Sequence, residues 1–203
     1  MSAIPACLSH AIANYRNENQ ALGPFAACLD RLQTDGFGQV RDPDAASPEV
    51  RLHASGFVIQ YISLALCDHR ISPSEMDNIL VLKRIYALDE GDLLALQRPA
   101  IASLLGREMA QILVDEHVDR DESIHQSDLQ RALGLGYDQF LHLTRQMIRP
   151  LVERQLERAR AFPSERAQVL RQLQGLGRVL HLDTTTMTAV WPEPPAEVAL
   201  QGN

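Results

Sequence analysis

A periodicity narrows the fold more than any other feature of this chain. From Leu52 onward apolar residues recur at spacings of three and four, as in Phe57, Tyr61 and Leu64 or Ile79, Leu82 and Tyr86, without the sustained alternation that a half-buried strand requires. Aromatic residues make up 5% of the chain and β-branched residues are few, so the side chains that favour sheets are scarce. The predicted class is all-α. With 45% apolar residues among 203, the chain is too apolar for disorder and long enough for one good core or two small ones.

Helix-breaking composition punctuates this pattern at 35–48 (DGFGQVRDPDAASP), around Pro99, around Gly134 to Gly136, and from Trp191 onward. The expected organisation is an N-terminal helical extension and linker at 1–48, a main helical bundle at 49–190 and an extended tail at 191–203. No basic segment precedes the apolar residues of the N-terminus, so it does not read as a secretory signal. The longest apolar run, Gly56 to Cys67, is shorter than the roughly 20 residues that span a bilayer. No transmembrane segment is expected on that ground. Cys7, Cys28 and Cys67 form no CxxC pair and are odd in number, which fits a reduced cytoplasmic compartment better than a disulfide framework.

An internal repeat refines the fold class. Sliding Leu66–Leu94 onto Leu113–Leu141, a shift of 47, needs no gap and leaves seven of 29 positions identical: Leu66/Leu113, Asp68/Asp115, Glu75/Glu122, Leu82/Leu129, Arg84/Arg131, Leu88/Leu135 and Leu94/Leu141. A half-copy follows another 47 residues on, around Leu176 to Met187. Helix pairs at this period build HEAT-like solenoids, which need about three repeats to bury a continuous core. Two and a half copies point instead to a closed, pseudo-repeated bundle of about nine helices.

The repeated polar positions have a shared physical task. Ser72 is an N-cap candidate, Pro73 takes the first helical position, Glu75 completes a capping box, and Ile71 can staple onto Met76. In the second copy Val118, Asp119 and Glu122 occupy the same places. Capping does not explain Asp68 and Asp115, which stand at the end of the preceding helix where the dipole disfavours a carboxylate. Asp115, Glu116, Asp119, Asp121 and Glu122 place several hard oxygens within eight residues, which suits Ca²⁺ or Mg²⁺ better than Zn²⁺, although the spacing is not that of an EF-hand. His117 could add a nitrogen ligand and favour a softer metal.

The pattern of Asp, two residues, Ile or Val, Ser or Asp, two residues and Glu, followed by a helix closing at Tyr86–Asp89 or Leu133–Gly136, resembles the TerB-like tellurite-resistance domain over roughly Leu52 to Ala189. The resemblance implies an all-helical cytoplasmic stress-response module without catalytic activity. It also implies clustered acids proposed to hold a divalent metal, here Asp68, Glu75, Asp115 and Glu122, and a protein partner associated with a membrane. The chain departs from the family pattern where a glycine usually follows the first Asp: His69 and Glu116 stand there.

Other chemistries find little support. There is no HExxH, P-loop, GxSxG or GxGxxG, and the glycine pairs lie at helix ends. His142 and Asp138 read as a pair one helical turn apart, and Cys67 reads as a buried structural thiol. The eighteen Arg against the single Lys83 read as base-composition bias. Charge is nevertheless uneven. Arg145 to Arg178 holds eight Arg against Glu153, Glu157 and Glu165, a local +5 in a chain of −7 that reads as a solvated face or a docking face for an acidic partner, an anionic membrane or nucleic acid. The acidic total and the missing aromatic interleaving argue against nucleic acid.

The expected function is a TerB-like adaptor whose acidic loops (Asp68, Glu75, Asp115, Asp119, Asp121 and Glu122) bind a divalent cation and whose surface recruits a protein. A metal-free helical scaffold for protein interaction is the alternative, and a metal-dependent hydrolase is a third reading.

Overall fold

Helix-forming and helix-breaking residues divide the chain much as their chemistry requires. The computed structural model describes residues 5–68, 70–114 and 120–179, with side chains described outside 112–126 and 175–179. The α-helices are α1 (Ala6–Glu18), α2 (Phe25–Asp35), α3 (Pro48–Ala65), α4 (Pro73–Ile85), α5 (Asp92–Val114), α6 (Arg120–Leu133), α7 (Tyr137–Ala161) and α8 (Arg166–Val179). Single 3₁₀ turns lie at Gly36–Gly38, Leu66–Asp68 and Pro163–Glu165. The described residues contain no strand, so the chain is all-α.

Eight helices stand among the described residues where about nine were expected. One physical reason is Pro99. Its ring removes an N–H and crowds the preceding turn, yet the chain absorbs this as a kink: Gln97 leaves helical geometry (φ −131°, ψ 30°) and α5 resumes beyond it. Residues 180–203, including the predicted tail, lie outside the described residues.

The helix ends follow local rules. Ser72 caps α4 in a complete capping box with Glu75, and Pro73 opens the helix. Ile71 and Met76, the expected staple, are both buried in the core. At the far end of α4, Ala87 adopts φ +50°, Leu88 N–H donates to Lys83 O at 2.8 Å and Ala87 N–H donates to Arg84 O at 3.1 Å. This is a Schellman closure. Gly134 (φ +63°) closes α6 the same way, with Leu135 N–H on Gln130 O at 3.0 Å. A left-handed conformation is strained for alanine and free for glycine. Ala87→Gly is therefore expected to raise stability by about 1 kcal/mol and Gly134→Ala to lower it by a similar amount, read from urea unfolding midpoints.

Packing order follows the chain. α1, α3 and α5 run parallel, because their contacts advance together: Tyr15 with His53 and Glu18 with Gln60, then Leu52 with Gln97 and Ser63 with Arg107. α5 packs on α7, while α4 packs on α6 and α6 on α8. Helices α1 and α2 share one buried cluster with the rest: Leu8, Ile12, Phe25, Cys28 and Leu32 belong with Phe57, Ile79, Tyr86 and Leu105. Tyr15, Phe25, Phe57 and Tyr86 join edge-on or tilted, with ring centroids 5.4–6.5 Å apart. The stretch Pro48–Asp68 is 21 residues, longer than the Gly56–Cys67 run, and apolar enough to cross a membrane by length and composition. Of its most apolar window 56% is buried inside the protein, against α1, α2, α4 and α5.

Candidate functional site

The first acidic loop is occupied by its own backbone. Glu75 Oε2 accepts Ser72 N–H at 2.9 Å and Ser72 Oγ–H at 2.7 Å, and Glu75 N–H donates to Ser72 Oγ at 3.3 Å. Asp68 is exposed at the end of the Leu66–Asp68 turn, where its Oδ1 accepts Arg70 N–H at 3.2 Å. In the second loop Asp115 and Asp119 lie outside the described residues, as do Glu116 and His117. Asp121 and Glu122 fall in the first turn of α6, and their side chains are outside the description. Among the described residues no converging group of three metal ligands includes Asp68 or Glu75.

Two single-residue expectations change. Cys67 is exposed, because α3 ends at Ala65 and a 3₁₀ turn carries the thiol outward. His142 meets Gln146 at 3.0 Å, one turn further along α7 from Asp138. The expected Arg149–Glu153 pair forms at 3.0 Å.

The polar cluster that does converge lies in the segment read as a linker. Asp42 is fully buried and takes two bonds from one guanidinium, Arg31 Nε at 3.0 Å and a terminal nitrogen at 2.8 Å. Asp44 N–H (2.9 Å), the Gln39 amide (3.2 Å) and the Cys28 thiol (3.4 Å) also donate to Asp42. Arg31 reaches Asp44 as well, at 2.6 Å, and Asp42 N–H donates to Ile85 O at 2.8 Å. The loop is thus clamped between α2 and the end of α4. Burial alone would push the Asp42 carboxyl up; Arg31 and the other donors outweigh it and hold the group below its ordinary range. Burial and the Asp42 charge push the Cys28 thiol up to about 12.

Cys28, Asp42 and Asp44 bring three potential ligand atoms within 4.8 Å of one another. They do not suit a metal. A cysteine ligand binds as thiolate, and this one is held as thiol, while Arg31 already supplies the positive charge between the carboxylates. The cluster is a structural clamp.

Among the described residues a further candidate is a groove of ≈530 Å³ between the three parallel helices. α1 contributes Tyr15 and Glu18, with its capping residue Asn19; α3 contributes Leu52, His53, Gly56, Ile59, Gln60 and Ser63; α5 contributes Gln97, Ala100, Ser103, Leu104 and Arg107. Its walls are cross-tied. Tyr15 Oη–H donates to His53 O at 2.8 Å, the Gln97 amide donates to Leu52 O (2.9 Å) and Ser55 Oγ (3.0 Å), the Gln60 amide donates to Glu18 at 2.8 Å, and Arg107 donates to Ser63 Oγ at 2.7 Å. The kink at Gln97 takes that residue out of helical geometry just where its side chain ties α5 to α3. Gly56 keeps the floor low, since a Cβ there would lie 3.0 Å from Tyr15 Oη and 3.5 Å from Gln97 Nε2. Burial pushes the Tyr15 hydroxyl up to about 12, so it serves as a donor and not as a base near neutrality. Gln60 Oε1 is buried and has no hydrogen-bond partner among the described residues.

No family model, curated protein or solved structure matches the chain. The site's own chemistry therefore carries the functional reading. It offers apolar floor residues, neutral donors and acceptors, and one charge of each sign in Glu18 and Arg107. Such a mixture is of the kind found where a bound group is held and oriented.

Proposed function

We propose that this chain is a non-catalytic helical-repeat scaffold that receives a segment of a protein partner in the groove between α1, α3 and α5. The observation that carries the reading is the groove itself, formed by the parallel helices α1, α3 and α5 and cross-tied by Tyr15, Gln60, Gln97 and Arg107. Stacked helix pairs present such surfaces to extended ligands. The sequence spacing of 47 is in keeping with this reading: α4, α6 and α8 begin at Pro73, Arg120 and Arg166, 47 and 46 residues apart, and the left-handed closures at Ala87 and Gly134 are 47 apart. Glu75 fits this reading as a capping residue, with its carboxylate spent on Ser72.

The TerB-like reading supplies a setting for the same surface: a cytoplasmic stress-response adaptor with a membrane-associated partner, in which Asp115, Asp119, Asp121 and Glu122 hold a divalent cation. A hydrolase using these loops has the weaker support, because Asp68 and Glu75 both accept hydrogen bonds within their own loop.

The test compares two variants in affinity capture from the native organism. Ser103→Trp fills the groove from an exposed position and is expected to abolish partner recovery, whereas Glu75→Gln keeps the capping box and is expected to retain it. Equal recovery with Ser103→Trp overturns the proposal. Calorimetric heat with Ca²⁺, Mg²⁺, Mn²⁺ or Zn²⁺ that disappears in Asp115→Ala with Asp119→Ala would favour the cation-binding adaptor.

A further inference from the structure

The basic segment is not absorbed by the groove, and its turn carries an unusual combination. Phe162, between α7 and the Pro163–Glu165 turn, is 57% exposed although it is a large apolar side chain. Arg158, Arg160 and Arg166, each within four residues of it along the chain, and Arg154, two turns earlier on α7, are all exposed. Arg158 is paired with Glu165 at 2.6 Å, while among the described residues Arg154, Arg160 and Arg166 carry no ion pair. Arg166 opens α8, where the helix dipole disfavours a cation, and the acid beside it, Glu165, is paired with Arg158. Helix stability does not account for a cation placed there.

We infer that the α7–α8 turn is an interfacial anchor for an anionic lipid surface, with Phe162 entering the headgroup boundary and Arg154, Arg160 and Arg166 holding lipid phosphates. An exposed aromatic flanked along the chain by long, exposed basic side chains matches the layering of such a surface, apolar below and anionic above. Charge complementarity is local: the segment from Arg145 to Arg178 carries +5 in a chain of −7. With a screening length of about 10 Å at 0.1 M salt, the acidic remainder orients the molecule without preventing contact at the turn. Nucleic acid fits less well, because the turn presents one exposed aromatic, and the other among the described residues, Tyr137, stands at the opposite end of α7, so there is no series of stacking platforms. A turn between two helices also presents an edge, not the broad face a folded acidic protein needs.

The test is co-sedimentation of the full chain with vesicles of phosphatidylcholine, alone or mixed with phosphatidylglycerol. Binding is expected only to the mixed vesicles and only at low salt. Each neutralised arginine weakens such binding about fivefold, so Arg160→Gln with Arg166→Gln is expected to lower affinity about 25-fold. Arg84→Gln with Arg98→Gln, the same change of charge at exposed positions on α4 and α5, is expected to leave it unchanged. Phe162→Trp in a Trp191→Phe background should show a blue-shifted emission on the mixed vesicles. Absence of binding, equal loss in both arginine pairs, or no spectral shift overturns the inference. So does tighter binding to an oligonucleotide than to the vesicles.

Discussion

Asp42→Ala is expected to destabilise the protein by about 3 kcal/mol, because it leaves a buried loop without the group to which three side chains and one backbone N–H donate. Arg31 would keep Asp44 but lose both bonds to Asp42, and the Gln39 amide and Cys28 thiol would lose their acceptor. The backbone bond from residue 42 N–H to Ile85 O survives the substitution, so the loss is that of the carboxylate alone. Asp42→Asn separates charge from shape, since it preserves volume and one acceptor. The pH dependence follows from the sign of the shift: the folded carboxyl lies below its unfolded value, near 3.9, so its stabilisation is complete above that pH and is lost as pH falls through the folded value. The gap between wild type and Asp42→Asn in urea unfolding should therefore be widest near neutrality and shrink in acid. Thiol labelling supplies a second readout. Cys7 and Cys67 are exposed and should label fast, and buried Cys28 should join them at neutral pH only once Asp42 is removed.

That clamp shows where sequence reading runs out. The capping box at Ser72 and Glu75 was legible because every participant lies within four residues and the chemistry is local. The helix-ending role of Gly134 was legible for the same reason. Asp42 sits in a Pro- and Gly-rich stretch that reads as solvated linker, and its partner Arg31 lies on a helix eleven residues earlier. Only the fold brings them together. Cys67 was misplaced by extending the apolar stretch one turn past the end of α3. The groove left one trace in the sequence, Gly56 inside an apolar helical run, where glycine costs roughly 1 kcal/mol against alanine and so implies close approach of another group.

Phe25→Ala is expected to cost about 3–5 kcal/mol and to do so in a single unfolding transition. Phe25 opens α2, yet its ring contacts α1 through Tyr15 (5.8 Å), α3 through Phe57 (6.2 Å) and stacked His53 (5.9 Å), and the end of α4 through Tyr86 (5.4 Å). Removing it opens a cavity where four segments meet, and none can close it without moving the others. A detached N-terminal extension would behave differently: the first 48 residues would lose structure while the rest melted unchanged, giving two transitions by far-ultraviolet dichroism. A double-mutant cycle with Tyr86→Leu should return a coupling of about 0.5–1.5 kcal/mol, as expected for aromatic rings in direct contact. The consequence reaches the groove, since Tyr15 both packs on Phe25 and donates to His53 O at 2.8 Å. Phe25→Ala should therefore loosen the α1 wall and weaken partner recovery even where the protein remains folded, whereas Ser103→Trp acts on recovery alone.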